Sequence, residues 1–182
     1  MSQQSDLAAP VTQSDHRLGP VDAPLIVVEY ADLECPNCRQ AMPAVKLLAQ
    51  RFAGRLQIVF RHFPLEEVHP HAIHAALAAE AAAAQGKFWE MHDLLFENQL
   101  HLELDRLRGY ARQLGLDLAR FGADMVEGGR VQRIRDEMEG GRRSGVRGTP
   151  TFFVNGRRQD VSFGLHLLAQ AVDEALQQLP KA

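Results

Sequence analysis

Cys35 and Cys38 are the only cysteines in the 182-residue sequence, and they stand two residues apart in the run Cys35-Pro36-Asn37-Cys38. Two thiols at that spacing can close a disulfide with each other, exchange with a disulfide in another molecule, or supply half of a tetrahedral zinc site. They cannot form a disulfide framework, and the chain is long enough to bury a core without one. Their context decides between redox and metal chemistry. Ahead of them, Leu25-Ile26-Val27-Val28-Glu29-Tyr30-Ala31 is almost continuously apolar and β-branched, the pattern of a strand buried on both faces of a mostly parallel sheet. Behind them, Val45, Leu48, Ala49 and Phe52 share one helical face that Gly54 closes. Cys35 therefore falls at a helix N-terminus, where the positive end of the dipole and free backbone N–H groups stabilise a thiolate. Pro36 suits the first helical turn, which needs no N–H partner. Cys38, one turn further in, can attack a mixed disulfide formed at Cys35 and so release the substrate. On this reading Cys35 is the nucleophile and Cys38 the resolving thiol; a zinc half-site is the competing reading.

Other residues that can carry chemistry divide into three groups. Glu29 is a carboxylate inside the buried strand pattern, and ionisable groups are rarely buried without a partner or a task; the alternative is a carboxylate turned to solvent at a strand end. His62, His69, His71 and His74 bunch together, but Pro70 starts a helix whose first turn holds His71 and His74, and no second cysteine pair exists to complete a tetrahedral site. No metal is expected there. His62, Arg142, Arg143 and Arg147 can form a solvated face, or a positive field that lowers the Cys35 pKa or holds the carboxylates of a small thiol such as glutathione. Phe88, Trp89, Phe96 and Phe121 fall at helical spacing and read as packing.

These groups sit in an α/β pattern interrupted once. A second strand follows at Leu56 to His62, and the apolar period around Pro43 continues, so that proline should kink its helix rather than stop it. From His71 to Arg143 the sequence reads as successive helices: Ala72 to Ala84 closed by Gly86, Phe88 to Phe96, two capped by Asp105 and Asp117, and Val131 to Met138. Strand character returns at Thr151 to Val154, Asn155-Gly156 signals a hairpin to Arg158–Ser162, and a last amphipathic helix runs from about Leu165 to Leu179. The expected division is a mobile polar arm over 1–15, a core from 16–68 and 146–182, and a helical insertion over 69–145. A net charge of -3, with 46% hydrophobic and 24% charged residues, argues against a nucleic-acid or anionic-membrane surface. No stretch offers the roughly 20 apolar residues of a membrane span. The first fifteen residues lack a basic region followed by an apolar one, so the expected location is the cytoplasm.

The run Val27-Val28-Glu29-Tyr30 through Cys35-Pro36-Asn37-Cys38, with Gly148-Thr149-Pro150-Thr151-Phe152 downstream and Gln85-Gly86-Lys87-Phe88-Trp89 between, resembles the DsbA family of the thioredoxin superfamily from about Gly19 to Leu179. The resemblance implies a thioredoxin-like α/β fold with a helical insertion and dithiol–disulfide exchange, using no cofactor beyond the cysteine pair. It implies protein or small-thiol substrates and an external redox partner. It implies a cis peptide bond before Pro150, in a loop where Thr149 and Pro150, facing Pro36 and Asn37, offer backbone groups to an extended substrate. For Glu29 it implies a buried acid beneath the cysteines, its pKa raised by desolvation, that accepts a proton from Cys38. A partner-binding module with secondary redox activity is the alternative function.

Overall fold

The computed structural model describes residues 5–162 and 164–179. Five strands, β1 (His16–Leu18), β2 (Leu25–Ala31), β3 (Leu56–His62), β4 (Thr151–Val154) and β5 (Arg157–Gln159), form one sheet in the order β1-β3-β2-β4-β5. β2 and β3 run parallel, and the other pairings are antiparallel. The parallel pair needs a crossover, and α1 (Pro36–Arg51) supplies it. The hairpin joining β4 to β5 turns at Asn155 and Gly156, both left-handed at φ 46° and 79°, the conformation Asn-Gly supports at least cost. The Asn155 side chain also accepts the Ile26 N–H at 2.8 Å, which pins the turn to β2.

Alternation along β2 explains its apolar run. Leu25 and Val27 pack with Val45 and Leu48 of α1 and with Leu168 and Val172 of α7 (His166–Gln177). Val28 and Tyr30, on the other face, meet Ala76 and Leu77 of α2 (Ala72–Ala83) and Ile134 and Met138 of α6 (Gly128–Arg143). Between β3 and β4 the chain is helical: α2, α3 (Phe88–Glu97), α4 (Leu104–Gln113), α5 (Leu118–Asp124) and α6. Phe88, Phe96 and Phe121 lie in the core that joins this block to the cysteine end of the sheet, with Trp89 packed against it. No helix among the described residues is long and apolar enough to cross a membrane.

Four details differ from expectation. Asp117 caps α5 by accepting the Arg120 N–H at 2.9 Å, but Asp105 lies within the first turn of α4, whose N-cap is Glu103. α6 extends three residues before Val131 and five beyond Met138, and in the C-terminal extension Gly140 and Gly141 pass close to Ala9, Tyr30 and Phe63, where a Cβ would meet them. β1 is a three-residue edge strand that no alternating pattern announces. The arm, over residues 5–15, is docked rather than loose. Asp6 and Leu7 donate their N–H groups to Gly156 O, and the buried Arg61 guanidinium donates to Ala9 O, Pro10 O, the Asp15 carboxylate and Tyr30 Oη.

Candidate active site

Cys35 is the N-cap of α1, extended at φ −73° and ψ 122°. That places it where the first backbone N–H groups of the helix have no intrahelical acceptor. The residue is 4% exposed and Cys38 is fully buried. Both are free thiols. In the protonated state the Cys35 Sγ–H donates to Thr149 O at 3.3 Å. The Cys35 pKa is lowered from 9.0 to about 5, chiefly because the Cys38 thiol hydrogen-bonds to the thiolate. The Thr149 side chain and the N–H groups of Cys38 and Asn37 add to this, against a burial penalty. The Thr149 hydroxyl is buried without another hydrogen-bond partner among the described residues, so it is free to turn toward the sulfur. Cys38 moves the opposite way: burial, the bond to Cys35, and the negative charges of Glu29 and of the Cys35 thiolate all push its pKa well up. One sulfur is thus an anion near neutral pH and its neighbour a protonated thiol.

Glu29 shares the α1-facing side of β2 with Leu25, Val27 and Ala31, as the two-residue period requires. It is 5% exposed, so the solvent-facing alternative does not hold. Burial raises its pKa from 4.5 to about 8. The carboxyl lines a small cavity of about 130 Å3 with Met42, Trp89, Phe96 and the ion-paired Lys46 and Asp93, whose Nζ–Oδ2 distance is 2.7 Å. At neutral pH this is a protonated acid with the charge-free Cys38 thiol in its field.

Two residues that carry no sequence signal hold the turn before Cys35. Asp32, 1% exposed, accepts the Glu34 N–H on Oδ1 and the Leu65 N–H and His69 Nδ1 on Oδ2, at 2.7–2.8 Å, while its carbonyl accepts the Cys35 N–H. Gln99, between α3 and α4, donates its side-chain NH2 to Leu33 O at 3.0 Å and Cys35 O at 2.9 Å. The helical block therefore fixes the backbone that carries the nucleophile. Neither role is visible in sequence, because Asp32 and Gln99 meet their partners only through the fold.

The Thr149–Pro150 bond is cis. Pro36 and Asn37 are exposed, and Asn37, Gln40, Thr149 and Pro150 line a groove of about 880 Å3 that continues along Arg158, Gln159 and Ser162. The histidine group does not converge on the cysteines. His62 turns to Glu80, His69 to Asp32, and His71 donates its N–H to Glu34 at the start of α2. Arg142, Arg143 and Arg147 are exposed; Arg142 faces Glu139 and the Phe63 ring, and Arg147 donates to Val146 O. None of the three, nor His62, is among the groups that lower the Cys35 pKa.

A family model described as Thioredoxin matches residues 11–174. The thioredoxin-like oxidoreductase of Silicibacter pomeroyi superposes with a TM-score of 0.82 and 28% identity, over 92% of this chain and 95% of that one. BdbD of Bacillus subtilis superposes at 0.83 with 20% identity, over 96% and 100%. The thiol-disulfide exchange protein α-DsbA2 of Wolbachia pipientis superposes at 0.78 with 20% identity, over 89% and 87%. Among curated proteins, the chain is 50% identical over 171 residues to the Na(+)/H(+) antiporter NhaA 1 of Salinispora arenicola, covering 93% of this chain and 26% of that protein. It is 45% identical over 144 residues to the antiporter NhaA of Herminiimonas arsenicoxydans, covering 79% and 23%. The chain spans about a quarter of the length of these relatives.

Proposed function

The chain belongs to the thioredoxin family and has a DsbA-like fold, and on that premise we propose that it exchanges thiols and disulfides through Cys35 and Cys38. The observation that carries the reading is the opposite tuning of the two sulfurs, Cys35 down to about 5 and Cys38 well up. A nucleophile must be ionised to attack, and a resolving thiol must stay protonated until the mixed disulfide exists.

The Cys35 thiolate attacks one sulfur of a substrate disulfide; a Cys35–substrate bond forms, the substrate S–S bond breaks, and the departing substrate thiolate takes a proton. The Cys35 anion that opposed ionisation of Cys38 is then gone. Glu29, having released its own proton, accepts the one on Cys38. The Cys38 thiolate attacks Cys35 Sγ, closes the internal disulfide and releases the second substrate thiolate. The substrate is reduced by two electrons and the protein oxidised by two. The same steps reversed transfer the disulfide to a dithiol, so an external thiol or disulfide partner must restore the starting form. Substrate lies in the groove beside Thr149 and Pro150, where backbone groups meet an extended chain and Pro36 and Asn37 stand exposed over the reacting sulfur. No cofactor enters these steps.

The test is turnover of a protein disulfide with glutathione as recycling thiol. Cys35→Ser should abolish turnover, and Cys38→Ser should accumulate a mixed disulfide at Cys35 visible by intact mass. Turnover surviving Cys35→Ser would overturn the assignment, and a wild-type protein that binds the substrate without turning it over, with affinity kept in Cys35→Ser, would favour the binding module.

A further inference from the structure

Away from the cysteines, three side chains distant in sequence meet at one point. His16 opens β1, His62 ends β3 and Glu80 lies midway along α2. The register of β1 on β3 sets His16 opposite Phe60. Residues two apart on a strand share a face, so His16 and His62 are diagonal neighbours on one side of the sheet. Nε2 of His16 lies 2.5 Å, and Nε2 of His62 3.1 Å, from the same Glu80 oxygen, Oε1. The three ligating atoms all fall within 4.8 Å of one another, and this is the group among the described residues with that geometry. We propose that His16, His62 and Glu80 form a binding site for a divalent transition metal ion of the zinc type, separate from the redox pair.

The donor set is two imidazoles and one carboxylate, the three-ligand arrangement that leaves a fourth tetrahedral position for water. That position has an opening: His62 and Glu80 side chains are 1% and 4% exposed, whereas His16 is 13% exposed. Outer groups are also in place, as ligand orientation requires. Phe88 stacks on the His16 ring at 3.5 Å and 7°. Arg133 Nε lies 3.1 Å from Glu80 Oε2, and Arg133 Nη2 is 3.1 Å from Glu137 Oε1. Glu137 Oε2 accepts the His62 backbone N–H at 2.6 Å.

The competing account is a buried hydrogen-bond cluster in which both imidazoles donate to Glu80. Two observations favour the ion. Both imidazoles crowd one oxygen, while the other has only an Arg133 Nε that, though 3.1 Å away, makes no aligned hydrogen bond. Tetrahedral donors at bond lengths of about 2.0–2.1 Å lie about 3.3 Å apart. His62 and Glu80 already have that spacing, and His16 needs to withdraw by about 0.8 Å along a three-residue edge strand. On binding, each neutral imidazole takes the tautomer with its single ring proton on Nδ1, which leaves the Nε2 lone pair for the metal, and Glu80 Oε2 turns to Arg133. The Arg133 charge beside Glu80 Oε2 weakens the site for a cation.

The protein is first oxidised, so that the Cys35–Cys38 disulfide removes both thiolates as ligands, then stripped with chelator and titrated with Zn2+ by calorimetry and with Co2+ by visible absorption. The expected result is one equivalent bound, Co2+ bands in the visible without thiolate charge transfer, and a Zn2+-dependent rise in Tm. His16→Ala removes the Phe88 stack and one partner of the buried Glu80 carboxylate, so its metal-free Tm should fall, and in titrations below that Tm it should lose at least tenfold in affinity. His166→Ala, on the exposed first residue of α7, should bind as wild type. No stoichiometric binding by wild type, or undiminished binding by His16→Ala, would overturn the site. Neither outcome bears on disulfide exchange.

Discussion

The potential of the cysteine pair should change with pH along two straight segments that meet near pH 5. At neutral pH the reduced protein carries one thiolate and one thiol, because Cys35 titrates at about 5 and Cys38 far higher. Reduction there takes up two electrons and one proton, so the potential falls by about 30 mV per pH unit. Below pH 5 both sulfurs are protonated on reduction, and the slope doubles to about 59 mV. The same ionisation sets the level. Two pH units between the Cys35 pKa and pH 7, at about 1.36 kcal/mol each, stabilise the dithiol form by about 2.7 kcal/mol over a pair that stays protonated. Thioredoxin, with a thiol of pKa about 7, already gains about 0.4 kcal/mol in this way. The difference of about 2.3 kcal/mol corresponds to about 50 mV, which places the pair near −220 mV against about −270 mV for thioredoxin. The Cys35 sulfur is only half-buried, so solvent screening makes about 2.7 kcal/mol and about 50 mV upper limits. For folding the sign is the one of a depressed acid: Cys35 contributes stability to the reduced protein that grows as pH rises from about 5 to 9 and is lost as pH falls back to 5, against the opposite contribution of Glu29 between about 4.5 and 8. Protein-film voltammetry from pH 4 to 7.5, checked at pH 7 against glutathione buffers by alkylation and intact mass, measures both quantities. A slope of 59 mV per unit throughout, or a break above pH 7, would refute the argument that the helix N-terminus and Cys38 hold Cys35 as a thiolate.

Glu29→Gln should stabilise the oxidised protein by about 3 kcal/mol at pH 7 and by much less at pH 5, as read from urea unfolding. The unfolded carboxyl ionises from 4.5 while the folded one keeps its proton to about 8, so wild-type stability declines through that window and the amide removes the decline. The same variant should slow resolution of the mixed disulfide by about 100-fold in rapid-quench measurements and leave the first attack nearly intact; equal slowing of both steps would remove Glu29 from the proton path. Gln99→Ala should cost about 2 kcal/mol, since Leu33 O loses its donor and Cys35 O keeps only the Arg39 N–H. It should also raise the Cys35 pKa, followed by thiolate absorbance at 240 nm; a loss of stability with an unmoved pKa would make Gln99 a packing residue only.

What the sequence displayed was local. Leu25–Ala31 is legible because burial on both faces leaves an uninterrupted apolar run, and the one carboxylate that breaks it, Glu29, stands out for the same reason. Asn155-Gly156 and the Cys35–Cys38 spacing are equally local, each a turn or a helix start whose conformation follows from adjacent residues. The histidines were not legible. Proximity in sequence grouped His62 with His69, His71 and His74, but His62 ends a strand and takes its neighbours from β1 and α2. Finding them requires the register of a three-residue edge strand, which has too few residues to show a period. The arm was misread for a related reason: its polar composition suits solvent, and the partner that orders it, Arg61, lies in the middle of β3.

This division bears on what the cysteine motif can be asked to specify. The polarity of the pair, an ionised first sulfur and a protonated second, comes from one strand, one turn and one helix that are contiguous in the chain. Its tuning does not. Thr149 reaches the nucleophile from a loop 114 residues downstream, Gln99 holds its carbonyl from 64 residues away, and Asp32 is itself held by His69 and by the Leu65 backbone from the loop between β3 and α2. Thr149 acts on the thiolate itself and the other two on the backbone that carries it, and at about 1.36 kcal/mol per pKa unit a single lost hydrogen bond to the anion moves the potential by tens of millivolts. Two chains with an identical Cys-Pro-Asn-Cys run can therefore differ in the direction they drive exchange while sharing nucleophile, resolving thiol and fold.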